Sequence, residues 1–344
     1  MLFPKEIQAI TISAHGGPEV VEKSTLPFPE QGPQDIVVKV VWAGVNTIDT
    51  YFRKGLYPVK KFPQVLGTEG SGIIVKLPTD EKVLNDAAYK RRGYKIGGRV
   101  SLNALGAFAE YVSYAWTSVY PVPDEVPLDI ASSCVAHGLT ALTTMTESYY
   151  VKKGDVILVH TIAGGLGLAF LAYAKSRGAT VIGTTSTPEK AELAKSLGAD
   201  HVILYTKENT VQRVLELTNG EGVHAVFDGV GKDTFLPNFD LLRRKGTLVA
   251  IGNASGAPDP ISPLKLSAKN ITLIRPSVFG YIVTPDEADY YLGELWQAIR
   301  SGLFKIRIHR VFPFTAEGVR EAHQEINTPG SSLTGKLLIK ISEE

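Results

Sequence analysis

The chain has 344 residues, 44% of them hydrophobic, and a formal net charge of +1 at pH 7. That length accommodates two domains of average size, and the composition is typical of a globular protein. The near-neutral charge gives no electrostatic argument for nucleic acid or an anionic membrane as the main partner, and the single cysteine, Cys134, excludes an intrachain disulfide and any structural zinc site that requires several thiolates.

The first 133 residues show the pattern of short β-strands separated by glycine and proline. This pattern predicts a β-rich, partly open barrel. Charged residues follow the second of its clear strands, so we predict a surface excursion whose Lys90-Arg91-Arg92 run is solvated. The N-terminus has no apolar signal core, and the chain has no apolar span of 18 residues, which favours a cytosolic protein. The clear strands are residues 36–43, 71–76 and 99–102.

Beyond residue 130, strand and helix patterns alternate. Such alternation predicts an α/β domain with a doubly wound parallel sheet. Cys134 lies in an apolar segment of this region, and we predict a buried, inert thiol. The predicted strands are residues 156–160, 180–183, 201–204, 225–228, 246–251 and 271–274. An amphipathic helix at 287–301 and strands at 306–312 and 336–341 follow, which gives the predicted domains 1–133 with 281–344, and 134–280.

The turn after the first of these strands carries the most informative motif. Ile162, Gly164 and Gly167 occupy the three positions of the G-x-G-x-x-G fingerprint. A helix that begins there can bind a pyrophosphate, because its unpaired N–H groups and its dipole favour an anion. An ordinary βα turn is the alternative, but the next strand completes a βαβ unit of suitable length. We therefore predict that Gly164, Gly165, Leu166 and Gly167 bind a dinucleotide.

The end of the second strand indicates which dinucleotide is bound. NAD-dependent enzymes usually place Asp or Glu there, about 20 residues after the first glycine. This chain has Thr184, Thr185 and Ser186 instead, so no carboxylate repels a 2′-phosphate. Lys190 follows closely and Tyr205 ends the next strand, which favours NADPH over NADH. The alternatives are a solvated Lys190 and a Tyr205 that only covers a strand edge.

Taken together, these motifs resemble the medium-chain dehydrogenase/reductase superfamily, and specifically its zinc-free quinone oxidoreductase, or ζ-crystallin-like, branch. The resemblance extends over almost the whole chain. It implies a GroES-like catalytic domain, a Rossmann NADPH-binding domain, an active site in the cleft between them, and a homodimer formed through the edge strand at 271–274. The matching segments are residues 15–20 (HGGPEV), 44–51 (GVNTIDTY), 55–58 (GLYP), 66–72 (LGTEGSG), 164–167 (GGLG), 227–231 (FDGVG), 252–256 (GNASG) and 275–277 (RPS).

Zinc-dependent members of this superfamily have a cysteine ligand in the first part of the segment 45–49, a His–Glu pair at 68–69, and a four-cysteine lobe. Here Asn46 and Thr68 occupy the ligand positions, and the lobe thiols are absent. The resemblance therefore implies no metal and disfavours alcohol dehydrogenation. Without zinc or flavin, the acceptor must need little electrophilic assistance, which favours quinones and activated enones.

The resemblance also implies the residues on the acceptor side, which are Asn46, Asp49, Tyr51, Tyr57 and Thr140. Both tyrosines can stack on a planar ring, Asn46 can hydrogen-bond a carbonyl oxygen or the cofactor amide, and Thr140 approaches the nicotinamide. Alternatively, Tyr51 and Tyr57 only roof the cleft, and Asp49 only bonds a backbone amide.

On the cofactor side, the branch often has an Arg within a C-terminal Glu-Ser-Arg motif that reaches the 2′-phosphate. This chain has Glu-Ile-Asn-Thr-Pro at 325–329 instead, and the candidate substitute is Lys336 or another basic residue that the fold brings in. The implied cofactor-binding residues are Asn46, Thr140, Gly164, Gly165, Leu166, Gly167, Ser186, Lys190, Tyr205, Asn253, Phe279 and Lys336.

The leading hypothesis is a cytosolic NADPH:quinone reductase. The alternative is an NADPH-dependent 2-alkenal, enone or enoyl-thioester reductase, in which Tyr51 could donate the proton. A third hypothesis, a crystallin-like or AU-rich RNA-binding protein, comes from relatives of the branch. The net charge does not support it, and no recognised RNA-binding motif occurs.

Overall fold

The computed structural model describes residues 3–328 and 330–344. The chain forms two compact units. The first contains the chain up to Ala136 together with Thr284–Asp289 and Ile306–Glu344, and the second contains His137–Val283 and Tyr290–Lys305.

The secondary structure follows the predicted order closely. The strands are β1 Glu6–Ile12, β2 Val21–Pro27, β3 Asp35–Val45, β4 Gln64–Val65, β5 Glu69–Lys76, β6 Arg99–Leu102, β7 Tyr111–Ala115, β8 Val119–Pro121, β9 Val156–Val159, β10 Thr180–Thr185, β11 His201–Leu204, β12 Val223–Asp228, β13 Leu242–Ala250, β14 Thr272–Ile274, β15 Ile308–Pro313 and β16 Lys336–Lys340. The helices are α1 Thr47–Lys54, α2 Glu81–Asn85, α3 Ala87–Arg92, α4 Leu128–Thr143, α5 Gly165–Ser176, α6 Pro188–Ser196, α7 Thr210–Leu217, α8 Lys232–Phe235, α9 Pro237–Leu241, α10 Leu264–Ser267, α11 Val278–Tyr281, α12 Pro285–Arg300 and α13 Ala316–Asn327.

Strand β3 organises the first unit. It pairs in antiparallel fashion with β5, β7 and β16. In the described part of the chain, the strand order is β15-β16-β3-β5-β6-β8 in one sheet and β2-β1-β4 in another. The β-branched side chains of β3, which suit a pleated surface, include fully buried core residues such as Ile36, Val38 and Val40. The predicted β-rich domain is confirmed.

The charged excursion after β5 differs from the prediction, because it contains the short helices α2 and α3, and one residue of its basic run is buried. The Arg92 side chain is only 3% exposed and lies 2.7 Å from a carboxylate oxygen of Asp289. Its guanidinium also lies over the rings of Trp116 and Tyr120. The prediction of a fully solvated run was therefore wrong. Charge density along the chain does not indicate that a distant aspartate and two aromatic rings surround an arginine.

In the second unit, the described strands form a parallel sheet in the order β11-β10-β9-β12-β13-β14. This is the 3-2-1-4-5-6 order of a doubly wound dinucleotide-binding sheet, so the Rossmann prediction is confirmed. The apolar residues 156–159 of β9 suit a central strand that is covered on both faces. The strand order reverses at β9, and ligands of such sheets bind at the carboxyl ends of the strands on either side of that point.

One boundary differs from the prediction, which assigned all residues beyond 280 to the first domain. Helix α12 contributes to both units. Asp289, near its start, pairs with Arg92 of the first unit, whereas the Tyr291 hydroxyl donates a hydrogen bond to Glu147 of the second. An amphipathic pattern predicts such a helix but does not indicate which unit covers each of its turns.

Two further properties concern the chain as a whole. Among the described residues, no helix is both long and apolar enough to span a bilayer. Cys134 is fully buried, as predicted, and burial raises the pKa of its thiol above the usual range.

Candidate active site

The glycine turn after β9 is shaped for close packing. A Cβ atom on Gly167 would lie 2.4 Å from the carbonyl oxygen of Thr161 and 2.6 Å from the Cα atom of Ile162. Only glycine therefore lets helix α5 approach the turn this closely. A Cβ atom on Gly164 would lie 3.3 Å from the same Thr161 oxygen, which is closer than most Cβ contacts in proteins. The first N–H groups of α5 have no intrahelical partners and can bind an anion.

A chain of hydrogen bonds that sequence reasoning missed supports this turn. Thr161 has a left-handed φ of 52°, and its N–H donates to the Thr184 hydroxyl at 3.3 Å. That hydroxyl also lies 3.0 Å from His160 Nδ1, and His160 Nε2 lies 2.8 Å from Asn238 Oδ1. The Asn238 amide nitrogen donates to Asp228 at 2.9 Å, so its oxygen must accept from His160 Nε2–H. The sequence offered one signal for this chain of hydrogen bonds, which was the presence of polar residues at the carboxyl ends of adjacent parallel strands.

The predicted 2′-phosphate contacts lie at the end of β10. Ser186 and Tyr205 directly follow the paired residues Thr185 and Leu204, so the sheet brings them to one edge. Lys190 is in the first turn of α6 and is half-buried, which lowers the pKa of its ammonium group. Within the described residues, this ammonium makes no ion pair or hydrogen bond. A partly desolvated cation without a counter-charge is stabilised by an incoming anion.

The remaining predicted residues of the second unit lie on three different elements. Thr140 is half-buried on α4, and its carbonyl accepts from the Thr144 hydroxyl at 2.6 Å. Asn253 follows β13, and its amide oxygen accepts from Arg275 at 3.0 Å while its nitrogen donates to the carbonyl of Gly252 at 2.9 Å. Phe279, on α11, is 50% exposed. Their contacts with the cofactor stay predictions.

In the first unit, a buried polar cluster forms around Asn46 at the start of α1. The backbone N–H of Asn46 donates to Asp49 at 2.8 Å, and the Thr68 hydroxyl donates to the same carboxylate at 2.9 Å. The Asn46 amide oxygen lies 2.6 Å from Lys336 Nζ, and its amide nitrogen lies 3.2 Å from Glu69 Oε2. None of the five side chains belongs to a residue more than 7% exposed.

The Asp49 carboxylate accepts a hydrogen bond from the backbone N–H of Asn46. This is the contact expected from the alternative in which Asp49 only bonds a backbone amide. Burial, which disfavours the charged form, raises the pKa of Asp49 to about 7. Its carboxyl group therefore holds a proton in an appreciable fraction of molecules at neutral pH. A catalytic role for Asp49 stays a prediction.

The position of Lys336 does not fit the predicted contact with a 2′-phosphate. Its side chain is 2% exposed, and Nζ lies 2.6 Å from Glu69 Oε2 as well as from Asn46. The ammonium already has a buried counter-charge, so this expectation is withdrawn. The sequence offered Lys336 as a substitute for the missing arginine because nothing near it in the chain indicates that Glu69 is its partner.

The two predicted tyrosines pack against each other. Their ring centroids are 5.3 Å apart at an interplanar angle of 71°, an edge-to-face contact. Tyr51 is 7% exposed, whereas Tyr57 is half-buried and also contacts Phe52. Tyr57 is therefore the more accessible of the two rings. Among the described residues, no group of three or more His, Cys, Asp or Glu side chains could hold a metal ion.

Comparisons with known proteins agree with this geometry. Residues 32–124 match the alcohol dehydrogenase GroES-like domain, and residues 165–295 match the family described as zinc-binding dehydrogenase. A probable quinone oxidoreductase from Schizosaccharomyces pombe is 39% identical over 97% of both chains. A 2-haloacrylate reductase from a Burkholderia species is 32% identical over 89% of this chain and 92% of that protein. The crystal structure of Escherichia coli quinone oxidoreductase complexed with NADPH superposes with a TM-score of 0.89 at 32% identity, covering 97% of this chain and 99% of that one.

Proposed function

Because this chain belongs to the quinone oxidoreductase branch of the medium-chain dehydrogenase/reductase superfamily, we propose that it is an NADPH-dependent quinone oxidoreductase. The observation that carries the cofactor choice is the half-buried Lys190 ammonium in the first turn of α6. This helix follows a hydroxyl-bearing segment at the end of β10, which replaces the carboxylate of NAD-dependent enzymes. The solved relative bound to NADPH supports the same choice.

The residues present suit the parts of NADPH. The N–H groups of Gly165 and Leu166 would bind the pyrophosphate, while Lys190 and Ser186 would hold the 2′-phosphate. NADPH, when bound, supplies the reducing equivalents that convert a quinone to a hydroquinone. The half-buried ring of Tyr57 offers an aromatic surface for a planar acceptor.

The first test is steady-state oxidation of NADPH, with NADH in parallel, against 9,10-phenanthrenequinone, 1,4-benzoquinone and a 2-alkenal. We expect rapid quinone-dependent oxidation of NADPH, slower oxidation of NADH and slower turnover of the alkenal. The absence of turnover with either quinone would contradict the proposal.

A second candidate is reduction of an activated carbon–carbon double bond. The 32% identity to a 2-haloacrylate reductase favours it. Adding 2-chloroacrylate to the same assay distinguishes the two, because a higher kcat/KM for this acid than for the quinones would establish the second function as the main one.

We further propose a homodimer that forms through β14. This strand ends the described parallel sheet, and only β13 pairs with it, which leaves one edge of backbone N–H and C=O groups open to a second copy. Pairing about a two-fold axis would satisfy both edges at once. Sedimentation at micromolar concentration should give twice the chain mass of 37.2 kDa, and a monomer would contradict the proposal.

The proposed location is the cytosol. Cys134 is free and buried, and with one cysteine the chain has the thiol usage of a protein from a reducing compartment. A fluorescent fusion that accumulated inside an oxidising compartment would contradict this.

A further inference from the structure

The buried cluster around Asn46 contains one cation, Lys336, and the contacts of that cation are well defined. Nζ lies 2.6 Å from Asn46 Oδ1 and 2.6 Å from Glu69 Oε2. An ammonium group can only donate hydrogen bonds, so the Asn46 atom that it contacts must be the oxygen. Glu69, an acceptor, faces the amide nitrogen at 3.2 Å. The ion pair therefore fixes both ends of the Asn46 amide.

The carboxylate of Glu69 is itself held in place. Its other oxygen, Oε1, accepts from the backbone N–H of Ala136 at 2.8 Å. Rotation of the carboxylate would break that bond, so Oε2 stays directed at Lys336 and Asn46. Strand β3 also leaves room for the pair, because a Cβ atom on Gly44 would lie 2.6 Å from Glu69 Oε2 and 2.8 Å from Lys336 Cε.

Stability alone does not account for this arrangement. Removing two charges from water costs several kcal/mol per ion, on the order of what their attraction returns, and apolar replacements of buried ion pairs are often neutral or stabilising. An apolar pair would fill the same space without ordering the amide of Asn46. The specific consequence of the ion pair is a single orientation of that amide.

One hydrogen of this amide is only weakly engaged. The contacts of Asn46 Nδ2 with Gly44 O and Thr68 Oγ1 are both 3.4 Å, which is long for a hydrogen bond. The amide nitrogen thus has a hydrogen to donate to a better acceptor. A cation on the amide oxygen makes that hydrogen a stronger donor, because linked hydrogen bonds polarise one another.

We propose that Lys336 and Glu69 are positioning residues for Asn46, which they hold and polarise so that Nδ2 can donate to a carbonyl oxygen of the quinone or of the nicotinamide amide. The inference rests on the proposed function, since Asn46 is the residue expected to contact these groups. It assigns Lys336 a different role from binding a 2′-phosphate.

The test uses the full-length enzyme and the double variant Lys336→Met with Glu69→Gln, which removes both charges and leaves no buried ion unpaired. We expect the double variant to fold, to bind NADPH within about 2-fold of wild type by fluorescence titration, and to lose about 10-fold or more in kcat with quinones. Lys340→Met is the matched control, because Lys340 is on the same strand but pairs with the exposed Glu343. It should keep the wild-type kcat.

A double-mutant cycle asks whether Lys336 acts through Asn46. In an Asn46→Ala background, the Lys336→Met and Glu69→Gln changes should cause no further loss in kcat. A second readout is independent of the cofactor and of activity. In enzyme labelled with 15N-asparagine, the side-chain amide signal that Asn46→Ala removes should be well resolved in wild type and shifted in the double variant.

The outcomes separate this inference from the proposed function. A folded double variant with wild-type kcat, or an unchanged amide signal, would overturn the positioning role while wild-type quinone turnover still supported the function. A further loss in kcat of the same size in the Asn46→Ala background would also overturn it. Failure of wild type to reduce quinones would overturn the function itself, and the amide signal would still report on the ion pair.

Discussion

Lowering the pH from 6.5 to 3 should reduce the free energy of unfolding by about 4 kcal/mol through His323 alone. His323, on α13, is fully buried, and neither ring nitrogen has a hydrogen-bond partner in the described structure. Burial lowers the pKa of this imidazole from 6.5 to about 3, and the nearby cations Arg53 and Lys54 lower it further. The folded protein therefore resists a proton that the unfolded chain binds readily.

The sign of the effect follows from proton binding. Between pH 6.5 and 3 the unfolded state binds more protons than the folded state, so stability rises with pH in this window. The contribution is fully present above pH 6.5, decreases by about 1.4 kcal/mol for each pH unit below it, and levels off below pH 3. At pH 4.5 the loss should be about 3 kcal/mol.

Urea unfolding of wild type and His323→Leu at pH 7 and pH 4.5 measures this loss. The leucine variant should lose about 3 kcal/mol less than wild type between the two pH values, because it removes the titrating group and leaves the other acids unchanged. His201→Gln is the control, since His201 is exposed and should give the wild-type difference. Equal pH dependence in wild type and His323→Leu would rule out a neutral buried imidazole.

Replacing Lys190 by alanine should reduce kcat/KM for NADPH by about 10- to 100-fold and leave kcat/KM for NADH nearly unchanged. Hydrogen bonds to charged groups contribute about 1.5–3 kcal/mol, which corresponds to this range. The half-buried ammonium has no partner within the described chain, so the 2′-phosphate is the group expected to neutralise it. NADH lacks that phosphate and should not be affected.

Steady-state kinetics with both cofactors, together with fluorescence titration of NADPH, measure the effect. Lys195→Ala is the matched control, because Lys195 lies on the same helix but pairs with Glu192 at 3.3 Å on the surface. It should retain the wild-type preference. An equal decrease for NADPH and NADH in Lys190→Ala would show that Lys190 supports the fold of α6 and does not recognise the 2′-phosphate.

The amino-acid sequence by itself determined the elements of the second unit and their order. A central strand of a parallel sheet is covered on both faces, so residues 156–159 appear as an unbroken apolar run. The role of Gly167 was also predictable, because the close approach of α5 to the turn requires a missing side chain at a defined spacing after the strand. Both signals are local, because each depends on residues that are close together in the sequence.

Only the tertiary structure decided what surrounds the charged side chains. Lys336 contacts Glu69 across a sequence separation of 267 residues, and Arg92 contacts Asp289 across 197. A lysine or arginine in a sequence is expected at the surface, because burying it costs several kcal/mol unless a counter-charge is present. Its partner comes from a strand or helix far away in the chain, so the sheets and helices must be assembled before that partner can be identified. For the same reason, the sequence indicated Asn46 as a site residue, while the ion pair that fixes the orientation of its amide was visible only in the fold.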